Sequence, residues 1–182
     1  AESKKTDQVI EIVRALSSFF RISLSKGKDL ITIRDEVEMI RSYLTIQKMR
    51  YRDILDFAIE ADEGVLDNTV LKLSLQPLVE NALYHGIKNK RQGGKITVRA
   101  KRERPDEILL EVEDNGIGFT AEQLDRVQAV LDDDSGEIRA ESGFGIGNVN
   151  QRVKLYYGRS YGLSIQSERQ AGTCATLVIP AR

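Results

Sequence analysis

In the first part of the chain, apolar residues recur with the period of an α-helix. Apolar residues recur at steps of four, three and four positions at Val9, Val13, Leu16 and Phe20. Because residues at this spacing share one face of an α-helix, we predict an amphipathic helix over residues 7–24. An exposed stripe of this kind is costly, so we expect it to dimerise or to fold back on the rest of the chain.

A second helix is indicated after the polar break SKGKD. Thr32, with Asp35 three residues later, matches a helix capping motif. Apolar residues then share one face, and we predict that this helix continues to about Tyr51. Those apolar residues are Val37, Ile40 and Leu44. We therefore assign residues 1–51 to an N-terminal helical segment.

After residue 51, short alternating runs predict a sheet. The predicted strands are 55–60, 95–100, 108–113, 162–167 and 175–179. The predicted helices between them lie near 70–87, 121–131 and 146–157. Short links between consecutive strands favour antiparallel hairpins over repeated βαβ units. The predicted class is α+β, a mixed sheet of about five strands with helices packed on one face, in a domain over residues 52–182.

Charge and cysteine content narrow the class of protein. Charged residues make up 30% of the chain but leave a formal net charge of -1, so no overall field attracts it to nucleic acid or to an anionic membrane. Cys174 is the only cysteine and His85 the only histidine, which excludes an internal disulfide and most zinc sites. No apolar run approaches the roughly 20 residues that span a bilayer. We expect a cytoplasmic domain that meets a membrane only through segments outside this sequence.

The predicted helix near 70–87 carries a polar stripe in the sequence LVENALYHGIK. One side of the helix is apolar, and the other presents Glu80, Asn81, Tyr84, His85 and Lys88. A carboxylate, an amide, a phenol, an imidazole and an ammonium group on one face exceed what contact with water requires. The stripe is therefore a candidate site, and an ordinary solvated helix face is the alternative.

A second candidate is DNGIGF, directly after a predicted strand. Gly116 and Gly118 allow a tight turn or the close approach of a ligand. The carboxylate of Asp114, at the end of the strand, can accept a hydrogen bond from a planar amine. An ordinary turn is the alternative, because Asp, Asn and Gly are the usual turn residues.

A third candidate is SGFGIGNVNQRVKLYYG, in which glycines precede a predicted helix. Gly143, Gly145 and Gly147 leave the N–H groups at the helix start accessible, which suits phosphate oxygens. The GxGxG spacing, without a strand directly before it, argues against a Rossmann site or a P-loop.

In this order, the three motifs resemble the N box, G1 box and G2 box of the GHKL ATP-binding superfamily. Within it, LQPLVENALYHG, DNGIGF and GIGNVNQRVKLYYG are similar to LytS/YesM-type sensor histidine kinases, and so are the two N-terminal helices. The resemblance implies a Bergerat-type fold that binds ATP with Mg²⁺. It also implies transfer of the γ-phosphoryl group to a histidine and then to an aspartate of a response regulator, within a homodimer.

The resemblance further implies roles for individual residues. Asn81 would be the magnesium ligand, and Asp114 would accept the adenine amino group with support from Thr173. Glu80 and His85 would share the catalytic face with Asn81. The remaining nucleotide contacts would come from Lys88, Gly116, Gly118, Gly143, Gly145, Gly147 and Asn148, together with His85.

The stretch between the G1 and G2 boxes corresponds to the ATP lid of this superfamily. We expect a short helix in TAEQLDRVQAVL, followed by the run DDDSGEIRAES, which has no apolar pattern. Glycines at both ends can act as hinges, so we expect the lid to be the most mobile region without nucleotide.

Three departures from the family pattern bear on activity. Tyr84 stands where these kinases commonly have lysine or arginine, and Pro77 stands where the ATP-hydrolysing branches carry a glutamate. His85 lies in the N box, and the sequence has no acceptor motif like PHFLFN. We therefore expect the acceptor histidine to lie upstream of this sequence, and the chain itself not to autophosphorylate. The alternatives are a GHKL-type ATPase and a non-catalytic nucleotide-binding or dimerisation module.

Overall fold

The structure is a computed structural model that describes residues 2–24, 29–90, 92–133 and 145–182. Two helices form the N-terminal part of the chain. They are α1 (Glu2–Ser23) and α2 (Ile33–Arg50), which confirms both predicted N-terminal helices. The Thr32 side chain accepts a hydrogen bond from the Asp35 N–H at 3.1 Å. The predicted cap of α2 is therefore present.

The strands form one large sheet and one small one. They are β1 (Leu30–Thr32), β2 (Leu55–Ala61), β3 (Thr69–Leu71), β4 (Gly94–Arg104), β5 (Glu107–Asp114), β6 (Gly162–Glu168) and β7 (Gly172–Pro180). The large sheet has the order β2-β4-β5-β7-β6. Its β2 and β4 are parallel and its other neighbours are antiparallel. The predicted mixed sheet, its five strands and the α+β class are confirmed.

The region before the N box differs from the prediction. Residues 69–71 form β3, which pairs antiparallel with β1, and Leu73 has a positive φ of 62°. Helix α3 spans Gln76–Asn81 and so begins later than predicted. The predicted helix start near residue 70 is therefore wrong. From Ala82 to Ile87 the helix continues as a π-helix. We call Gln76–Ile87 the N-box helix.

Two further helices agree with the prediction. They are α4 (Ala121–Asp132), which begins the predicted lid, and α5 (Ile146–Tyr157). The start of α4 is stabilised by a reciprocal capping box between Thr120 and Gln123. The rest of the predicted lid, residues 134–144 with Gly143, lies outside the described residues, so its expected mobility stays a prediction.

The large sheet buries one face under helices. Along β5, Ile108, Leu110 and Val112 are buried, while the alternate residues are half-buried. They share one core with helix side chains such as Leu83 and Val153. The opposite face carries ion pairs, which join Arg99 to Glu60 and Glu113, and Lys101 to Glu111. This arrangement confirms that the helices pack on one face.

The two N-terminal helices differ in burial. The core includes α2, whose fully buried apolar side chains are Ile33, Met39, Ile40 and Leu44. By contrast, α1 packs on α2, where the Phe19 and Tyr43 rings lie 6.4 Å apart, and leaves its apolar stripe exposed. That stripe comprises Val9, Val13, Leu16 and Phe20, which expose between 42% and 58% of their surface. None of the helices in the described residues combines the length and apolar character needed to cross a bilayer.

Candidate functional site

The buried carboxylate of Asp114 lies at the end of β5, in the middle of the sheet. Its backbone pairs with Ile96 of β4 on one side and with Thr173 of β7 on the other. Oδ1 accepts a hydrogen bond from the Gly116 N–H at 2.7 Å, and the Thr173 N–H also donates to the carboxylate. Because two carboxylate oxygens can accept about four hydrogen bonds, the group is fixed in place with accepting capacity left.

Burial raises the pKa of Asp114 to about 6, because the ionised form loses its hydration. The N–H groups of Gly116 and Thr173 oppose this rise, and so does the positive charge of Lys90, whereas Glu113 adds to it. The pKa of the carboxyl still lies below neutral pH. The group is therefore mostly ionised there, and an ionised carboxylate is a strong acceptor for an amine.

Glycines leave room around this carboxylate. A Cβ added at Gly86 or at Gly116 would lie 2.5 Å from Asp114 Oδ1. The Ile117 N–H donates to the Gly86 carbonyl at 3.2 Å, so the N-box helix and the DNGIGF loop are held in contact. Gly118, with a φ of 65°, lies against the backbone of Glu168, where a side chain does not fit. The closeness of Gly86 to Asp114 was not predicted, although a glycine inside a helical run is a signal for such contacts.

The side chain of Thr173 is part of a hydroxyl network beside Asp114. Its Oγ1 lies 2.8 Å from the hydroxyl of Ser167 on β6. The Ser167 hydroxyl accepts a hydrogen bond from the Phe119 N–H at 2.8 Å and donates to the Gly172 carbonyl at 3.0 Å. Thr173 thus contacts Asp114 through its backbone N–H, while its hydroxyl helps to join β6, β7 and the DNGIGF loop. Sequence reasoning did not find Ser167.

Asn81, the last residue of α3, has an unusual side-chain environment. Its Oδ1 is buried and accepts no hydrogen bond from the residues that the structure describes. Buried polar atoms without a partner are rare, because such an acceptor loses its hydration without gaining a hydrogen bond. A hard cation such as Mg²⁺ is a suitable partner for an amide oxygen. The environment of Asn81 therefore fits the implied magnesium ligand.

The π-helical geometry changes the spacing of the polar stripe. The Lys88 N–H donates to the Leu83 carbonyl at 2.9 Å, a step of five residues that is typical of a π-helix. His85, in this segment, is exposed. Glu80, in the α-helical part, is half-buried and accepts a hydrogen bond from Gln76 Nε2 at 2.9 Å. His85 and Lys88 are therefore rotated, relative to Asn81, from the positions that a regular α-helix predicts.

Tyr84 contacts helix α2. Its hydroxyl forms a hydrogen bond with that of Tyr43 on α2, and its ring is partly buried against the core. The ammonium group of Lys88 lies 5.8 Å from the centroid of the Tyr84 ring. The residue that replaces the family's basic side chain thus joins the N-box helix to α2.

The start of α5 adjoins the start of the N-box helix. A Cβ added at Gly145, the N-cap residue of α5, would lie 3.3 Å from Cβ of Pro77. Gly147 is buried, and a Cβ there would lie 2.7 Å from Cγ1 of Val130 on α4, so helix packing requires this glycine. Asn148, one residue further, is exposed. The structure therefore brings Gly145 of the G2 box next to the N box, whereas Gly147 lies against α4.

A buried amide that sequence reasoning missed fixes the start of the lid. Asn150 of α5 donates from Nδ2 to the Leu131 carbonyl of α4 at 2.9 Å. Its Oδ1 accepts a hydrogen bond from the Leu163 N–H of β6, also at 2.9 Å. The amide therefore fixes α4 and α5 relative to the sheet.

Family models match the chain in two parts. Residues 67–182 match the histidine kinase-, DNA gyrase B- and HSP90-like ATPases, and residues 1–55 match a histidine kinase family. Since the first match covers more than half of the chain, the chain belongs to this ATPase family, whose members bind a nucleotide. Within it, the second match and the relatives described next show that the chain is similar to histidine kinases. The predicted resemblance is confirmed.

The chain is also similar to individual histidine kinases, in sequence and in fold. The sensor histidine kinase YesM of Bacillus subtilis is 32% identical over 182 residues, which is 100% of this chain and 29% of YesM. The histidine kinase domain of the blue-light activated kinase of Erythrobacter litoralis has a TM-score of 0.57 at 18% identity, covering 96% of this chain and 75% of that one. Histidine kinase ThkA, solved in complex with response regulator TrrA, has a TM-score of 0.58 at 15% identity, over 99% of this chain and 49% of ThkA. The two structures support the predicted fold.

Proposed function

We propose that this chain binds ATP with Mg²⁺ and is the phosphoryl-donating domain of a sensor histidine kinase. The observation that carries this proposal is the buried Asp114 carboxylate, held by two N–H groups and surrounded by glycines. The amino group of adenine is planar and can donate a hydrogen bond to this carboxylate. Gly116 and Gly118 allow the ring to approach, and Thr173 holds the carboxylate through its N–H.

Asn81 is proposed to bind Mg²⁺ through Oδ1, the buried oxygen without a partner among the described residues. When bound, the ion neutralises negative charge on the phosphates. One amide oxygen is enough for the protein's share, because Mg²⁺ at nucleotide sites takes most of its ligands from phosphate and water. Further phosphate contacts are proposed for Gly143, Gly145, Gly147, Asn148, His85 and Lys88.

In the proposed reaction, the bond between the γ-phosphorus and the leaving oxygen of ADP breaks while a bond to an imidazole nitrogen forms. The protein contributes mainly by positioning the reactants and by stabilising charge. Glu80, half-buried beside Asn81, is proposed to take the proton that the imidazole releases. His85 belongs to the nucleotide side of this site, so it is not the acceptor.

The setting in the whole protein is also a proposal, since the chain spans 29% of the length of YesM. We place the acceptor histidine upstream of this sequence, in a homodimer whose contact includes the exposed stripe of α1. The phosphoryl group then passes to an aspartate of a response regulator. We propose that residues 1–51 belong to the dimerisation and linker part and residues 52–182 to the catalytic part, on the cytoplasmic side of a membrane-anchored receptor.

Calorimetric titration with a non-hydrolysable ATP analogue, with and without Mg²⁺, tests this function. Asp114→Asn should lower the affinity about tenfold or more in either condition, because a charged acceptor at the adenine is lost. Asp106→Asn, an exposed change just before the start of the same strand, is the matched control and should bind like the wild type. Equal binding by Asp114→Asn and the wild type would contradict the adenine assignment.

Asn81→Ala separates the kinase proposal from a non-catalytic module. We expect the variant to retain Mg²⁺-free binding and to lose the gain in affinity that Mg²⁺ brings, because the proposed metal ligand is gone. A gain that survives the substitution would favour the module. Steady phosphate release over many turnovers would instead favour an ATPase, although Pro77 offers no base to activate water.

A further inference from the structure

Helix α2 holds the turn that leads into the N-box helix. Glu36 of α2 is fully buried. Its Oε2 accepts a hydrogen bond from the Leu73 N–H at 3.1 Å, and its Oε1 accepts one from the Leu75 N–H at 2.8 Å. Leu75 directly precedes Gln76, the first residue of α3. The carboxylate thus binds the backbone at the point where the N-box helix begins.

The carboxylate accepts hydrogen bonds in a turn whose backbone conformation is unfavourable. Leu73 has a φ of 62°, a left-handed conformation that is disfavoured for a branched residue and persists only where its surroundings impose it. A carboxylate offers an acceptor oxygen to each of two N–H groups, whereas a glutamine offers one oxygen and one NH₂ donor. Glutamine at this position would therefore place a donor against an N–H group.

The positive charge of Arg152, on a third element, also acts on Glu36. Burial raises the pKa of Glu36 to about 7, while the N–H groups of the turn and the positive charge of Arg152 oppose the rise. Arg152, on α5, also donates from Nη2 to the Lys72 carbonyl in the same turn at 2.9 Å. The turn is thus held by α2 from one side and by the helix that follows the G2 glycines from the other.

A second contact joins α2 to the far part of the N-box helix. Tyr43 lies seven residues, or about two turns, after Glu36 and therefore on the same face of α2. Its hydroxyl is hydrogen-bonded to that of Tyr84, and its ring packs near Phe19 of α1 with centroids 6.4 Å apart. Asn81 lies between the two points at which α2 holds the helix, Leu75 and Tyr84.

We infer that Glu36 and Tyr43 are positioning residues that fix the N-box helix on α2, so that the placement of α2 sets the orientation of Asn81. Apolar packing alone tolerates sliding of one helix on another, whereas two hydrogen-bonded points fix both its position and its rotation. Since α1 packs on α2 beside Tyr43, a movement of α1 would reach the metal-binding side chain along this route. The inference rests on the proposed function, in which Asn81 binds Mg²⁺.

The test separates adenine binding from the Mg²⁺-dependent part of ATP binding. In Glu36→Gln and in Tyr43→Phe, the affinity for adenosine, which depends on Asp114, should stay within about twofold of the wild type. The gain in affinity for a non-hydrolysable ATP analogue on adding Mg²⁺ should fall about fivefold or more, because Asn81 is no longer held in place. A residue with only a general structural role would lower both affinities together.

Matched controls lie on or next to the same helix. Glu38→Gln alters a carboxylate that is 46% exposed and faces Arg41 at 3.7 Å, and Tyr51→Phe removes a hydroxyl at the C-cap of α2. Both should keep the full Mg²⁺-dependent gain. The double variant Tyr43→Phe with Tyr84→Phe should behave like Tyr43→Phe alone, because both changes remove one and the same hydrogen bond.

Two results with Tyr43→Phe would contradict the inference. An unchanged Mg²⁺-dependent gain in Tyr43→Phe, or a parallel loss of adenosine binding, overturns the inference, and Tyr43→Phe decides the matter if Glu36→Gln does not fold. If the wild type itself shows no Mg²⁺-dependent gain, the proposed function fails first. The failure of the inference and that of the proposed function are therefore distinguishable.

Discussion

The burial of Asp114 couples nucleotide binding to pH. The pKa of this group is about 6 in the folded protein, above the ordinary value of about 4. Between these two values the folded protein holds a proton that the unfolded chain has released. The contribution of Asp114 to the free energy of unfolding therefore falls as the pH rises through this window. Its ability to accept a hydrogen bond as a charged group increases over the same range.

We therefore predict that the affinity for adenosine rises with pH through about 6 and levels off above it, because the carboxylate ionises. Adenosine has no phosphate, so no phosphate ionisation contributes to the slope. NMR titrations at several pH values would measure it. Asp114→Asn serves as the control and should bind weakly with no such slope, and the same slope in that variant would show that another group is responsible.

Residue patterns alone predicted candidate residues that are neighbours along the chain, whereas the distant pair of Asp114 and Thr173 was implied only by the family resemblance. Asp114 and Gly116, two residues apart, were predicted together because DNGIGF is a local motif. Glu36 and Ser167 were missed because their partners are distant. Glu36 binds Leu75, 39 residues away, and Ser167 binds Phe119, 48 residues away. No spacing rule within one helix or turn connects such pairs.

The π-helical part of the N-box helix presents Gly86 to Asp114. A Cβ at Gly86 would meet Oδ1 of this carboxylate at 2.5 Å, and the group is held by two N–H groups and cannot move away freely. Alanine usually stabilises a helix relative to glycine by about 0.5–1 kcal/mol. Overpacking at a buried site costs about 1–3 kcal/mol. Overpacking should therefore be the larger effect here.

We predict that Gly86→Ala lowers the free energy of unfolding by about 0.5–2 kcal/mol, the difference between these two effects, and weakens adenosine binding by displacing the carboxylate. Urea unfolding and NMR titration would measure the two quantities. Gly64→Ala is the matched control, because a Cβ at Gly64 meets nothing within 4 Å. Unchanged binding in Gly86→Ala would mean that the carboxylate can rearrange at no cost.

Elements were predicted well where a pattern extends over several residues. The alternation along β5 fixed its buried face and its bounds to within one residue at each end. β3 was missed because a strand of three residues shows too little alternation, and the apolar run around it resembles a helix. The break before α3 includes Leu73, which has a positive φ and whose N–H donates to Glu36 of another helix. Local propensity therefore placed the start of the N-box helix too early.

At the scale of the whole molecule, α1 and α2 have different relations to the sheet. The four fully buried apolar side chains of α2, Ile33, Met39, Ile40 and Leu44, are part of the common core. Burying such a side chain contributes about 1.5–3 kcal/mol, so together they contribute about 6–12 kcal/mol. The net stability of a domain is about 5–15 kcal/mol. The sheet is therefore not expected to remain folded without α2, although the predicted boundary after residue 51 separates the two.

Because α2 belongs to the core and the stripe of α1 is exposed, we predict opposite results for two shortened chains. A chain of residues 29–182 lacks α1, which leaves its apolar stripe exposed, and should unfold cooperatively and bind adenosine nearly as well as the full chain. A chain of residues 52–182 also lacks α2 and Glu36, so its core is open and the turn at Leu73 has lost its acceptor. It should show no cooperative unfolding transition in urea and no adenosine binding. If it instead folds and binds like the longer chain, the boundary after residue 51 separates two independent folding units, and α2 cannot be what holds the N-box helix in place.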